Sequence, residues 1–346
     1  MKKVIFALAA VVALAACSQE DVIVADKGAA IGFDTFVENS TRSVYDPSYT
    51  NSNMFADFAV YGFVEGAVLF DGVQVSKSIT NTDLSSAWKY AGTQYWIAGA
   101  QYNFNAVAPM TNGNWEKTAA TAESTTLSFT NNGTTDLLYA TAAQEGKASG
   151  NTVVGFNFRH VLSKVKFSFE NAYNATNATI RVKDVKITDA YASGVATLNA
   201  NTAWVPAANS NNLTLSFGNA AVDSATAEEA FGNGTTVESY NELLMIPGAG
   251  ATVVKNGEDV LHENVYTIQF TVELLVSEQE VAEYTHTIYT TFVPVAGHSY
   301  DLKATINPEN IDPAHSQEAI QFTVTNIGNW GADDNGEAEG DNNKTI

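Results

Sequence analysis

Alternation of apolar and polar residues with a period of two is the feature that most limits the fold of this chain. It is clearest in Tyr266–Val276, where every second residue is apolar. This is the period of a β-strand with one buried face. Tyr284–Phe292 and Tyr300–Ile306 repeat it on either side of a turn at Val295–His298, so three consecutive antiparallel strands are predicted.

Earlier segments show the same strand pattern, and the residues between them are rich in Asn, Thr, Gly and Ala, which favour turns and short loops. These segments are Phe58–Phe63, Tyr102–Val107, Leu127–Phe129, Val153–Phe158, Val165–Phe169, Ile180–Ile187 and Leu213–Phe217. Two short stretches, Asn81–Trp88 and Ala225–Phe231, suggest helices. Many short strands with frequent turn signals are typical of β-sandwiches, so the predicted fold class is all-β.

The length of the chain suits two domains of ordinary size. A stretch rich in Gly, Ser and Asn at residues 146–151 is the predicted boundary. We therefore predict an amino-terminal β-sandwich over residues 43–150 and a carboxyl-terminal one over residues 151–330. Residues 331–346 are acidic and almost without apolar side chains, so we expect a flexible tail.

A secretion signal is predicted over residues 1–16, because Lys2 and Lys3 precede a short apolar run that ends in small residues. No later apolar run approaches the roughly 20 residues that a membrane span needs. Cys17 is the only cysteine and follows Leu-Ala-Ala, which resembles the lipobox of bacterial lipoproteins. We predict that Cys17 carries the acyl chains, palmitate among them, that anchor an outer-membrane lipoprotein.

The charge of the chain excludes one class of partner. With 38 acidic and 17 basic side chains the net charge is −21, so basic side chains cannot drive binding to nucleic acid. The five histidines lack the spacing of a zinc site, and no phosphate loop or nucleophile elbow is visible. We therefore predict no metal, no cofactor and no enzymatic activity.

A run of aromatic residues between residues 88 and 104 has two interpretations. Its members are Trp88, Tyr90, Tyr95, Trp96, Tyr102 and Phe104. They can form a platform on which sugars stack, since aromatic faces suit apolar sugar surfaces, or they can pack in the core. Core packing is favoured because Tyr102, Phe104 and Ala106 share one face of an alternating strand.

Several motifs in order along the chain resemble the fimbrillin family of type V pili. They are Trp88-Lys89-Tyr90, Tyr95-Trp96, Tyr102–Pro109, Asp136–Ala140, Phe156–Val165 and Trp330. The resemblance implies two transthyretin-like β-sandwich domains in tandem and export as a lipoprotein. It also implies cleavage after an arginine by a trypsin-like protease and polymerisation with other pilin subunits by donor-strand exchange. The implied product is a fimbrium at the cell surface that serves adhesion, with a host glycan or protein as a candidate receptor.

The arginines indicate where such a cleavage can occur. Arg159 and Arg181 fall inside strand patterns, whereas Arg42 lies in a polar stretch, Asn39–Ser43. Exposed polar loops are the preferred sites of proteolysis. We predict cleavage between Arg42 and Ser43, which makes residues 17–42 an anchored propeptide.

The propeptide contains a strand pattern in which Ile31, Phe33 and Val37 share one face. Burying three such side chains stabilises a domain by on the order of 5–9 kcal/mol. The whole stability of a domain is roughly 5–15 kcal/mol. A groove vacated by this strand is therefore expected to be refilled.

The candidate replacement lies near the carboxyl terminus, in Gln317–Trp330. There Ile320, Phe322 and Val324 alternate with polar residues and repeat the spacing of the displaced strand. A strand donated by a neighbour replaces both the side chains and the backbone hydrogen bonds, which is β-augmentation. The alternative is that this segment completes its own second domain, and the sequence leaves both open.

Three functions therefore compete. The first is a pilus subunit, of the shaft or the tip. The second is a monomeric, surface-anchored lipoprotein that binds glycans through exposed Trp and Tyr side chains. The third is an anchored hydrolase, because carboxylate pairs for glycoside hydrolysis meet in space and their sequence spacing decides nothing.

Overall fold

The computed structural model describes residues 29–37, 55–147, 153–221, 229–254, 260–311 and 320–329. The strands of the first half are β1 (Gly32–Val37), β2 (Asp57–Val64), β3 (Ala67–Ser76), β4 (Gln101–Ala108), β5 (Trp115–Ala120), β6 (Thr125–Thr130), β7 (Leu138–Glu145) and β8 (Val153–His160). Those of the second half are β9 (Ser163–Asn171), β10 (Ala178–Tyr191), β11 (Ser193–Leu198), β12 (Ala203–Pro206), β13 (Asn211–Ala221), β14 (Phe231–Gly232), β15 (Thr236–Ser239), β16 (Leu243–Met245), β17 (Ala251–Val254), β18 (Val260–Val276), β19 (Gln279–Thr291), β20 (His298–Ile306) and β21 (Phe322–Asn329). Among the described residues between β20 and β21 there is one helix, α1 (Pro308–Ile311). Within these ranges no helix has the length and apolar character needed to cross a membrane.

The alternation seen in the sequence is the alternation of burial in the strands. In β8, for example, Val154, Phe156 and Phe158 are buried, whereas Val153, before Val154, and Gly155, between Val154 and Phe156, are exposed. Each segment predicted as a strand overlaps a strand of the structure. The predicted all-β class is confirmed by these strands. They form because burial of alternate residues on one side favours strands over helices.

The first sheet has six strands in the order β1-β8-β7-β4-β2-β3. β1 runs parallel to β8, and the other neighbours are antiparallel. One face of this sheet covers a core rich in aromatic side chains, to which Phe33 of β1 and Ile31, just before it, both contribute. β1 is therefore an edge strand that carries core residues.

The second large sheet has eleven strands. Eight of them follow the order β17-β18-β10-β13-β15-β9-β20-β21. The other three pair at its sides: β14 with β10, β16 with β9, and β19 with β18. The prediction of three consecutive antiparallel strands is wrong in one respect. β18 and β19 form an antiparallel hairpin, but β20 lies at the other end of the sheet, between β9 and β21. A period of two identifies a strand but not its neighbour, because pairing depends on how the chain crosses the sheet.

A small third sheet joins the two halves of the chain. Its order is β12-β11-β6-β5, and β6 pairs antiparallel with β11 from Thr125 to Thr130. Beneath it lies a separate core that includes Leu127, Phe129, Ala196 and Leu198. Strands from both halves thus share hydrogen bonds and a core.

Strand pairing moves from the first sheet to the second at residues 161–162, beyond the predicted boundary at residues 146–151. The reason is that β8, which follows that boundary, pairs with β1 and β7. A stretch rich in Gly, Ser and Asn marks a loop, and a loop separates two domains only if few contacts cross it. The division into two tandem domains stays a prediction.

The predicted helix at Asn81–Trp88 is wrong. This segment consists of turns, and Trp88 forms an isolated bridge with Phe33. The Asn81 side chain donates from Nδ2 to the carbonyl oxygens of Tyr90 and Gly92. Such side-chain bonds to the backbone compete with helix formation. The second predicted helix lies largely outside the described residues, and its last residue begins β14.

Candidate functional site at the first strand

The first strand is held along both of its edges. On one side β1 pairs with β8 over its whole length. On the other side lies the segment of residues 86–96, which we call the clasp. Two isolated bridges connect the clasp to the first sheet, Phe33 with Trp88 and Ser76 with Lys89, and a third joins Tyr95 to Ala30 just before β1. The clasp therefore links the two edge strands, β1 and β3, and covers edges that are otherwise open to pairing.

Hydrogen bonds from the clasp satisfy the backbone just before β1. The Ile31 N–H donates to the Gln94 carbonyl at 2.8 Å, and the Trp96 N–H donates to the Ala29 carbonyl at 3.0 Å. The Tyr90 hydroxyl donates to the Ile31 carbonyl at 3.0 Å and accepts a bond from the Gln94 N–H at 3.0 Å. Burial raises the pKa of Tyr90 to about 12, so this hydroxyl stays a neutral donor at physiological pH.

Phe33 fills an aromatic pocket in the core. Its side chain is 0% exposed, and its ring centroid lies 5.5 Å from those of Phe70 and Tyr90. Phe156 and Phe104 follow at 5.7 Å and 5.9 Å. We call these four neighbours the Phe33 socket. These centroid separations fall in the range where aromatic pairs attract each other beyond the burial of their surface.

The Tyr90 hydroxyl provides a test of the clasp. Tyr90→Phe removes the donor to the buried Ile31 carbonyl and the acceptor of the Gln94 N–H, so we expect the free energy of unfolding to fall by about 1–3 kcal/mol. The measurement is urea denaturation of the uncut chain. Tyr284→Phe, on β19 of the second large sheet, is the matched control and should stay within about 0.5 kcal/mol of the parent. Equal stability of the two variants would contradict this account.

The aromatic run of residues 88–104 belongs to the core. Trp88, Tyr90, Trp96, Tyr102 and Phe104 are each at most 4% exposed. The core-packing interpretation is therefore confirmed. These five rings do not form a platform for sugars, because a stacking surface must be open to solvent.

The carboxyl-terminal candidate strand is seated in the second large sheet. β21 pairs antiparallel with β20 at the end of that sheet. Ile320 is 1% exposed, whereas Phe322 and Val324 are half-buried. In this conformation the segment completes its own sheet, and in the part of the chain that is described β20 is its one neighbouring strand.

The structure describes some of the other predicted site residues and not others. Ile31 and Phe33 are fully buried, as expected of a strand that holds a domain together. Val37 ends β1, but its side chain lies outside the described part of the chain. Cys17, Arg42 and Ser43 also lie outside it, so lipidation and cleavage stay predictions.

An acidic group on the β18–β19 hairpin brings together oxygen atoms of Glu273, Glu280 and Glu283 within 4.8 Å. Arg181 and Lys183 both bind Glu273. Burial alone would raise the pKa of Glu273, but hydrogen bonds from Lys183 and Arg181 lower it overall. Since two cations already balance this carboxylate, the group is an ion-pair network between β10 and the hairpin.

Residues 41–330 match the sequence model of a family described as fimbrillin-like. The chain belongs to the fimbrillin-like family. The resemblance seen in the sequence motifs is thereby confirmed. Family membership supports a pilus-type adhesion subunit at the cell surface that associates with other pilin subunits, and it favours a structural over an enzymatic role.

One solved structure of a similar protein agrees with the fold of this fimbrillin-like protein. A fimbrial protein from Bacteroides vulgatus aligns with a TM-score of 0.57 at 16% identity, over 87% of this chain and 99% of that one. Putative cell adhesion proteins from Bacteroides ovatus and Bacteroides uniformis align with TM-scores of 0.46 and 0.43, at 15% and 16% identity. They cover 89% and 88% of this chain and 99% of each relative. No curated protein matches the sequence significantly.

Sequence motifs alone do not reveal the clasp as part of this site. Trp88-Lys89-Tyr90 and Tyr95-Trp96 are visible as family motifs. Their irregular spacing predicts neither a strand nor the element that they contact. Only the fold shows that this segment lies along the edge of β1.

Proposed function

We propose that this fimbrillin-like protein is a structural subunit, of the shaft or the tip, of a surface pilus. It is exported as a lipoprotein anchored at Cys17 and is then cleaved after Arg42 by a trypsin-like protease. It polymerises by donor-strand exchange, in which β21 of one subunit replaces β1 of another. The polymer serves adhesion to a host glycan or protein receptor.

One observation carries the proposal. β1 lies before Arg42 in the sequence, whereas β8, the clasp and the Phe33 socket all lie after it. A single cut after Arg42 therefore separates the strand covalently from its entire groove. A strand that is removed in this way is no longer held at high effective concentration next to its site.

Loss of β1 has a large energetic cost. Ile31 and Phe33 are fully buried, and their burial stabilises the domain by about 3–6 kcal/mol. The vacated groove exposes the Phe33 socket and the free edges of β8 and the clasp. Open strand edges bind other strands, so the groove is a strong acceptor.

β21 has properties that suit a donor. Phe322 is half-buried in its own sheet, whereas Phe33 in the groove is 0% exposed. β21 pairs with one described strand, β20, whereas a strand in the groove is bonded along both edges. Donation from one copy to the next is a heterologous contact that does not close, so it produces a filament.

The processed amino terminus tests the proposal. We expect mass analysis of high-mass fibres from the cell surface to find chains that begin at Ser43. The opposite result is a population of uncut monomers that keep a lipid-modified Cys17. That result would contradict the pilus subunit.

A further inference from the structure

The first strand and the carboxyl-terminal strand share a short pattern. Ile31-Gly32-Phe33 and Ile320-Gln321-Phe322 both place an isoleucine two residues before a phenylalanine. Both isoleucines are buried, at 0% and 1% exposure. The next residues, Asp34 and Thr323, are exposed in their own sheets. The two strands therefore present the same side chains, in the same order, to their respective cores.

The Phe33 socket selects for an aromatic side chain. Its walls are four aromatic rings within 5.9 Å of the Phe33 ring. The side chains that β21 turns towards its core are Phe322, Val324 and Asn326, and Phe322 is the aromatic one among them. In its own sheet Phe322 already packs against rings, with Phe167 at 5.6 Å and Phe270 at 5.8 Å. A smaller side chain in the socket would leave a cavity, which is costly in a packed core.

The direction of entry follows from the order of the two side chains. β1 is parallel to β8, with Phe33 opposite Val154. A strand that enters parallel places isoleucine before phenylalanine, as β1 does. An antiparallel strand that seats Phe322 in the socket reverses this order and puts Val324, which is smaller than isoleucine, in the place of Ile31. The parallel orientation also brings the Ile320 carbonyl to the position from which the Ile31 carbonyl accepts the Tyr90 hydroxyl bond.

We propose that β21 of one copy enters the groove of the next parallel to β8, with Phe322 in the Phe33 socket and Ile320 in the place of Ile31. This inference rests on the proposed donor-strand exchange and specifies its register. Gln321 then lies opposite Val153, and Thr323 lies opposite Gly155.

One position distinguishes the donor from the strand that it replaces. A Cβ atom built on Gly32 would lie 3.1 Å from Ser86 Oγ, and Ser86 is held by a hydrogen bond to the Trp88 carbonyl at 2.8 Å. Gln321 carries such a Cβ, so Ser86 must shift slightly when the donor enters. The tethered β1 therefore fits the groove better than β21 does, and exchange waits until the tether is cut.

Paired cysteines test the register directly. The acceptor is the full chain with Cys17→Ser, a site-specific protease sequence placed at Arg42, and either Val153→Cys or Gly155→Cys. The donor is the full chain with Cys17→Ser and either Gln321→Cys or Thr323→Cys. After the acceptor is cut, the two are mixed and oxidised. Size-exclusion chromatography reports exchange, and non-reducing gels report which pairs cross-link.

We expect cross-links for Val153→Cys with Gln321→Cys and for Gly155→Cys with Thr323→Cys. The two mismatched pairs should form at least about tenfold less, because their Cα atoms lie about 8 Å apart, beyond the roughly 7 Å reach of a disulfide. Mixed species that cross-link through the mismatched pairs would overturn the register while exchange itself stands. The absence of any mixed species would overturn both the register and the exchange.

Discussion

Replacing Phe33 with alanine is expected to lower the free energy of unfolding of the uncut chain by about 3–5 kcal/mol. Phe33 is 0% exposed and lies between the four rings of the socket. Removing the ring loses its burial and leaves a cavity that the surrounding aromatic side chains cannot fill by small shifts. The loss approaches the stability of a small domain.

This prediction is checked by urea denaturation, followed through the fluorescence of the buried Trp88 and Trp96. Both indoles lie in the same core as Phe33, so they report the unfolding of that half of the chain. The control is Ile97→Ala, which truncates a large apolar side chain that is 60% exposed. It should change the stability by no more than about 0.5 kcal/mol. A Phe33 variant as stable as the control would show that β1 is not part of the core.

Arg42→Ala is expected to abolish fibres while leaving export and folding intact. Without the cut, β1 remains attached to its own groove, where its effective concentration is on the order of millimolar. It also fits that groove better than β21 does, because Gly32 leaves room for Ser86. The donor then competes against a tethered strand of higher complementarity.

Electron microscopy of surface material and size-exclusion chromatography measure this effect. Thr41→Ala changes the adjacent residue and is the matched control, which should assemble normally. A site-specific protease sequence at residue 42 should restore fibres to the Arg42 variant once the added protease is supplied. Abundant fibres from the uncut Arg42 variant would refute the role of cleavage in assembly.

The order of the strands along the chain differs from their order in the sheets. β1 comes first in the sequence, yet its partner β8 follows more than a hundred residues later. β21 is the last described strand and lies at the end of its sheet. The small sheet that pairs β6 with β11 ties the two halves together. In the proposed polymer, a pull on a donated strand would be transmitted through the hydrogen bonds of this sheet and the core beneath it.

Much about this protein was determined by the sequence. The alternation in β8, β10 and β18 identified strands, because a half-buried strand must repeat every two residues. The burial of Ile31, Phe33 and Ile320 followed from the same pattern. The family motifs between residues 88 and 165 were also visible in the sequence.

Tertiary structure alone decided which strands are neighbours and what the clasp does. β20 pairs with β9 and not with β19, which precedes it in the sequence. Residues 81–88 form turns in place of a helix. The Tyr90 hydroxyl donates a hydrogen bond to the Ile31 carbonyl. The physical reason is that periodicity reports which side of a segment is buried, through interactions a few residues apart. Pairing between distant segments depends on how the whole chain closes its sheets and satisfies buried backbone groups.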